Sequence, residues 1–594
     1  MKFMKLGTRS DTFYTEQATR SLVSDIPPDL VMKINDTTYL LHKLQSPLLR
    51  KCGLLQRLCS DTNDSESVPL ELHDMPGGPD AFELCAKFCY GVSINISAHN
   101  FVPALCASKL LQMNESIERG NFVGKLESFF SSCILEGWKD SISTLQATDK
   151  LPEWSENLGI IRKCIDSIIE KVLTPPSQVK WSYTYTRPGY NRKQHHSVPK
   201  DWWTEDVSIL NIDLFRCIIM TIRSTHVLPP QLIGEALHVY ACKWLPFIKV
   251  KSSGSSSSQT EESKEKNRKV LETIVSMIPA DKGSVSAGFL LRLLSISSNL
   301  GVSTVTKTEL IKRASIQFHE ANVSDLLYPS TSSLDQKFYD IELIQVVLES
   351  FLKFWKRIST GAGDNKHYLL RSITKVGKLI DSYLQVVARD DNMTVSKFVA
   401  LVEAVPAIGR LEHDDLYQAI NIYLKVHPDL NKSEKKRLCG ILECQRLSSE
   451  VRAHAVTNDS LPLRTVVQLL YYEQEKDSNA ATSTKVQKPL ELLLGAKKRA
   501  EPRDSHGKQS LGLDKEEFKR GEITRRASLA ESREKGQHKT KRLDDKLALD
   551  LEKKMVIRES KEESMSGSKL NLDHKKMVQR TRSNKSEYGS EKRR

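Results

Sequence analysis

The chain has 594 residues, of which 39% are apolar, 7% aromatic and 27% charged, which is long enough for several folded units but too poor in apolar side chains for packing throughout. Its formal net charge of +14 is unevenly placed: residues 481–594 hold 31 Lys+Arg against 19 Asp+Glu, whereas the first 480 hold 57 against 55. With only Phe518 and Tyr588 as aromatics, the tail cannot bury enough area to offset its ordering entropy, and a disordered basic C-terminal tail is expected there.

The first folded block is expected from about Asp25 to Leu173. It opens with a hairpin signal, Leu30-Val31-Met32-Lys33-Ile34, then Asn35-Asp36, then Thr37-Thr38-Tyr39-Leu40-Leu41, because the Asn-Asp pair tolerates positive φ. A helical pattern follows from Leu48 to Leu58. Gly77-Gly78-Pro79 then leads into a helix whose Phe82, Cys85, Ala86 and Cys89 share one stripe and which Gly91 ends. Asn100 is the expected cap of a further helix carrying Val102, Leu105, Cys106 and Leu110. A small sheet followed by helices reads as α+β.

Residues 182–200 turn to Tyr, Arg, Pro, Gly and His195-His196 without an apolar period and read as a linker. An all-α domain is expected from Asp201 to about Gln474. Its clearest stripes are Val376, Leu379, Ile380, Tyr383, Leu384, Val387; Val395, Phe398, Val399, Val402; Leu416, Ala419, Ile420, Tyr423, Leu424; and Leu463, Val466, Val467, Leu470, Tyr471. Thr394 and Ser433 suit N-caps, and Pro406 and Pro428 follow helical runs. Lys251 to Arg268, serine-rich and then mixed in charge, reads as a low-complexity surface loop inside this domain.

No constellation of catalytic chemistry stands out. Gly361-Ala362-Gly363-Asp364-Asn365-Lys366 lacks the Gly-Lys-Ser/Thr element of a phosphate loop, and Cys439 and Cys444 with His427 and His454 complete no zinc spacing. Asp201-Trp202-Trp203-Thr204-Glu205-Asp206 could be an acid/base site, but a helix start with buried indoles and dipole-favoured carboxylates explains it better. The protein is therefore expected to be no enzyme and to need no cofactor or metal. Eleven cysteines without a Cys-x-x-Cys pair suggest reduced thiols. The opening residues lack a signal-peptide core, and stretches such as Leu214 to Ile222 are interrupted by charge before the ~20 residues of a membrane helix, so a soluble intracellular protein is expected.

Asp29 to Lys43, ending in Leu41-His42-Lys43, followed by Pro76 to Gly91, resembles a plant-type BTB/POZ domain. Asp201-Trp202-Trp203-x-Glu205-Asp206, Ile233-Gly234-Glu235-Ala236-Leu237, Tyr240-Ala241-x-Lys243-Trp244-Leu245-Pro246, His413 to Ile420 and Leu461-Pro462-Leu463-Arg464-x-Val466-Val467-Gln468 resemble the plant family named for non-phototropic hypocotyl and root phototropism proteins. The opening Met1 to Gly7 is similar to its naked-pins-in-yucca branch. The resemblance implies a BTB/POZ domain at 27–125 with a helical extension to about 173, a linker at 182–200, a mostly all-helical domain at 201–475 with the loop 251–268, and the tail 481–594.

It further implies a substrate-specific adaptor of a cullin-3-type ubiquitin ligase in tropism or auxin-linked signalling. The alternative is a non-ubiquitinating scaffold at the plasma membrane built on BTB self-association. Expected partners are a cullin-3-type scaffold and a second BTB chain, identical or related. By analogy the cullin surface lies after the hairpin, at His42, Lys43, Leu48 and Leu54. A nucleic-acid role is not expected, since the tail lacks interleaved aromatics and the chain lacks zinc-finger spacing.

The tail carries two further expectations. Arg525-Arg526-Ala527-Ser528 suits a basophilic kinase of AGC type, with Ser583 as second choice and a 14-3-3 protein as a possible reader; Ser315 has similar flanks but sits in an apparent helix. Leu543, Leu547, Leu551 and Met555 repeat every four residues among Lys541, Arg542, Lys546, Lys553 and Lys554, as in a basic helix lying on an anionic membrane. That would place the protein in the cytoplasm, peripheral to the cytosolic face of the plasma membrane.

Overall fold

The computed structural model describes residues 2–16, 19–22, 27–42, 47–61, 69–187, 190, 197–246, 260–328, 339–360, 366–391 and 393–480. They divide into two compact units, the first within Met1–Phe247, Ser255–Val285 and Leu300–Thr306, the second within Ser286–Asn299 and 307–480.

In the first unit β1 (Phe3–Leu6), β2 (Phe13–Glu16) and β3 (Thr19–Leu22) precede the hairpin strands β4 (Leu30–Ile34) and β5 (Thr37–Leu41); β6 (Leu70–Leu72) and β7 (Ile94–Ser97) follow. The hairpin forms in the expected register, Ile34 opposite Thr37, with Asn35 at φ 50° supplying the left-handed turn residue. It is the centre of a five-stranded sheet ordered β2-β3-β5-β4-β6, while β1 pairs antiparallel with β7.

Helices α1 (Pro47–Lys51) and α2 (Gly53–Asp61) divide the expected Leu48 to Leu58 helix. At Gly53 a Cβ would lie 2.9 Å from Ile117 Cδ1, so the chain passes close to that side chain there. Next come α3 (Gly78–Tyr90) and α4 (Phe101–Leu110). Phe82, Cys85, Ala86 and Cys89 of α3 are buried as their spacing requires. Asn100 stands at the start of α4, but its side chain accepts from the Ser97 N–H and donates to the Asn95 carbonyl. It thus ties the helix to β7 and bonds no helix N–H. The unit continues through α5 (Phe122–Phe129), α6 (Trp138–Ala147), α7 (Pro152–Asn157), α8 (Ile160–Leu173), α9 (Thr204–Val207), α10 (Ile212–Thr225), α11 (Pro230–Trp244) and α12 (Glu261–Met277). The last of these corrects the end of the expected loop 251–268, whose residues 251–259 lie outside the described residues: Thr260 accepts from the Ser263 N–H and starts a helix whose Leu271, Ile274 and Met277 are buried.

The later helices are α13 (Ala287–Leu300), α14 (Thr304–Ile316), α15 (Ile341–Ser359), α16 (Lys366–Val387), α17 (Val395–Ala404), α18 (Asp414–Val426), α19 (Lys432–Gly440), α20 (Ser449–Val456) and α21 (Leu463–Ala480). Three of the four expected stripes, on α16, α17 and α18, are buried throughout. The fourth is not: on α21 Leu463 is 78% exposed and Tyr471 59%, while Thr465 and Leu469 face inward towards α20 and the turn at Cys444–Arg446. Asn431 starts α19, not Ser433, because Asn431 and Glu434 form a reciprocal capping box.

Candidate functional site

The surface after the hairpin is built by α1, α2 and α3. His42, expected to meet a partner, is 5% exposed; its backbone N–H donates to the Tyr90 hydroxyl at 3.3 Å and its ring meets Tyr90 edge-on. Leu48 is fully buried. Both belong to the core, since the strand that delivers His42 runs under α3 and α1 turns Leu48 inward. Leu54 remains half-buried beside Leu58, with Arg50 and Arg57 exposed, and Lys43 lies outside the described residues. Glu83 of α3 takes the Arg20 guanidinium on both oxygens, and Lys87 at 2.9 Å, so β3 is pinned to the helix. Burial alone would raise the Glu83 carboxyl, but bonds from Arg20 and Lys87 hold it below the usual carboxylate range.

A second assembly surrounds Trp202. Its indole lies against Trp138 (centroids 4.6 Å), Trp181 (5.6 Å) and Tyr183 (5.7 Å). Asp206 accepts from Trp138 Nε1 at 2.7 Å and from the Thr184 N–H at 3.0 Å. Glu205 takes the Thr186 N–H, and Asp201 takes the Tyr185 hydroxyl and Arg187 at 2.8 Å. The three carboxylates thus hold residues 183–187, read from sequence as linker, along the start of the helical region. A helix does start here as expected, with Glu205 and Asp206 in its first turn and Trp202 and Trp203 buried, and the carboxylates bind the 183–187 strap in addition. The polar composition of 183–187 hid this, because its order comes from acceptors twenty residues downstream.

The other motifs are also packing devices. A Cβ on Gly234 would sit 1.7 Å from the Ser284 carbonyl oxygen, so α11 touches the 284–285 backbone directly. Tyr240 donates to the Leu210 carbonyl at 3.0 Å and Trp244 Nε1 to that of Ser208 at 2.7 Å. Gly234→Ala is expected to lower stability by about 1–3 kcal/mol or more, read as a shift of the urea midpoint; an unchanged midpoint would contradict the contact.

In the second unit Arg410 donates to Asp381 through Nε at 2.9 Å and Nη2 at 2.8 Å and to the Val402 carbonyl through Nη1 at 3.1 Å. Both side chains are buried, 6% and 3% exposed. Beside them His413 accepts the Glu443 N–H at Nδ1, and burial, reinforced by Arg410, lowers its imidazole to about 4. Tyr417 pairs its hydroxyl with His454 Nδ1 at 2.8 Å and receives Asn458 at 3.1 Å. Cys439 and Cys444 are buried, and burial raises Cys439 to about 12, as suits core thiols. Among the described residues no group of three or more His, Cys, Asp or Glu is arranged to hold a metal ion, and no helix is long and apolar enough to cross a membrane.

Ser315 is 2% exposed on α14, which removes it as a kinase site. Ser528, Ser583, Lys541, Arg542, Lys546, Leu547, Leu551, Lys553 and Lys554 lie outside the described residues, as do His195, His196 and the Gly361 to Asn365 stretch.

Among the described residues the ordered polar motifs serve packing. A profile of the NPH3 family matches residues 201–451. A BTB/POZ domain-containing protein of Arabidopsis thaliana is 59% identical over 542 residues, covering 89% of this chain and 96% of the relative. The phototropic-responsive NPH3 family protein NPY1 of the same plant is 38% identical, covering 82% and 83%, and root phototropism protein 3 is 33% identical, covering 82% and 79%. The chain belongs to the NPH3 family of plant BTB/POZ proteins. No solved structure matches it significantly.

Proposed function

We propose that the chain is a substrate-recruiting adaptor of a cullin-3-type ubiquitin ligase. In this reading the BTB-type block at 27–125 self-associates, with itself or a related chain, and engages the cullin, while the helical region at 201–475 holds the client. The observation that carries it is the pairing, in one chain, of the hairpin-and-helix block with the NPH3 region, retained across nearly the whole length of a relative named for its BTB/POZ domain. With His42 and Leu48 buried, the reading takes as its cullin surface the half-buried Leu54 and Leu58, near the exposed Arg50 and Arg57. Titrating the purified full chain with the N-terminal region of a cullin-3-type scaffold is expected to give saturable binding at micromolar concentration or below. Leu54→Asp should weaken it at least tenfold, about 1.4 kcal/mol; no binding by the unaltered chain would refute the proposal.

Regulation belongs to the tail in the same reading: an AGC-type kinase acts at Ser528 or Ser583, a 14-3-3 protein reads the product, and the basic repeat from Lys541 to Lys554 rests on the anionic cytosolic face of the plasma membrane. Each Lys or Arg near such a surface contributes ~1 kcal/mol, and a phosphate adds about −1.5 to −2 charge against it. Removing residues 481–594 is expected to abolish sedimentation with anionic vesicles, and undiminished sedimentation would contradict the assignment. The loss of His42 and Leu48 as contacts favours one second reading, a scaffold that self-associates without a cullin.

A further inference from the structure

Helix α11 places Glu235, His238 and Cys242 three and four residues apart, on one face. Cys242 is exposed and lies one helical turn beyond His238, on the same face of α11. The imidazole faces Glu235, with Nδ1 3.9 Å from Oε1. Glu235 is in turn fixed by Arg187 Nη1 at 2.7 Å, whose Nη2 pairs with Asp201 at 2.8 Å. The order along this chain is thiol, imidazole, carboxylate, guanidinium, carboxylate. It is the arrangement in which a nucleophile gives its proton to a neighbouring base that a third group holds in place.

We propose that Cys242 is a reactive surface thiolate, activated by His238 and oriented through Glu235, and that it is a site of reversible oxidation by hydrogen peroxide followed by capture of a low-molecular-weight thiol such as glutathione. Nothing in the adaptor reading requires this site. His238, and then Arg187, hold the Glu235 carboxyl below the usual carboxylate range, and the imidazole is held protonated up to about 9, Cys242 being the larger cause and Glu235 the next.

In the first step the sulfur attacks one peroxide oxygen, an S–O bond forms and the O–O bond breaks. The leaving hydroxide takes the imidazolium proton and departs as water, sulfur having lost two electrons to the peroxide. In the second step a glutathione thiol displaces water from the sulfenic acid and an S–S bond forms. The mixed disulfide is reversed by excess thiol.

Cys217 is an internal reference. It is the other exposed cysteine of the described residues, on α10, and its neighbours four residues away are Asp213 and Thr221, which offer no base of this kind. The full chain is treated with a limiting amount of iodoacetamide at pH 6.5, where an ordinary thiol is only about 1% ionised, and alkylation at each cysteine is followed by peptide mass spectrometry. Cys242 is expected to react at least tenfold faster than Cys217. His238→Gln is expected to bring Cys242 down to the Cys217 rate while leaving Cys217 unchanged, which also reports that the helices remain folded; Glu235→Gln should give an intermediate rate. With hydrogen peroxide and glutathione, the mixed disulfide should form at Cys242 and not at Cys217. Equal rates at the two cysteines of the unaltered chain, a Cys242 rate indifferent to His238→Gln, or no glutathione adduct at Cys242 would each overturn the proposal.

Discussion

Arg410→Met is expected to destabilise the second unit by about 3–5 kcal/mol at neutral pH, because it leaves the Asp381 carboxylate buried without its partner. The loss should depend on pH with a defined sign. Burial already raises the Asp381 carboxyl, and the Arg410 bonds pull it part of the way back. Without those bonds the folded-state value climbs further, so in the acid range the native variant holds a proton that the unfolded chain releases. Its stability therefore rises as pH falls through that value. Urea unfolding at pH 5 and pH 7.5 should show the smaller deficit at pH 5, and equal deficits would dismiss the uncompensated charge as the cause. The double variant with Asp381→Leu should recover most of the loss, since an apolar pair replaces a buried ion pair at little cost.

The second large effect concerns the strap over Trp202. Asp206→Ala is expected to cost roughly 2–6 kcal/mol, about 1–3 for each of the two donors that lose their acceptor, the buried Trp138 Nε1 and the half-buried Thr184 N–H. Asp206→Asn, which keeps one carbonyl oxygen, should cost less. Tryptophan fluorescence during urea unfolding reads both, and limited proteolysis within 183–187 should accelerate in the alanine variant. A stable Asp206→Ala chain with unaltered proteolysis would mean that the carboxylates do not hold the strap.

These two sites mark the limit of what the sequence makes legible. Where order is local, the pattern sufficed: the Asn35-Asp36 turn, the Gly77 and Gly91 bounds of α3 and the stripes of α16, α17 and α18 follow from periodicity and turn chemistry. Where partners are far apart in the chain, it did not. Strand β1 pairs with β7 some ninety residues later, and neither segment signals the other. Residues 183–187 look like a linker because their binding groups belong to Asp201, Glu205 and Asp206. His42 and Leu48 look available because a strand end and a five-residue helix carry too few positions to reveal which face is covered. On α21 the converse holds, since an apolar stripe of the right period remains exposed and Leu469 is buried in its place.

The adaptor reading is tested most directly by capturing the full chain from plant tissue at its native level and quantifying cullin-3-type scaffold against the bait by mass spectrometry. The account predicts recovery of cullin approaching one per chain, together with BTB-bearing partners, and a loss of cullin but not of those partners with Leu54→Asp. Recovery of the BTB-bearing partners without cullin would contradict it and leave the scaffold reading in its place.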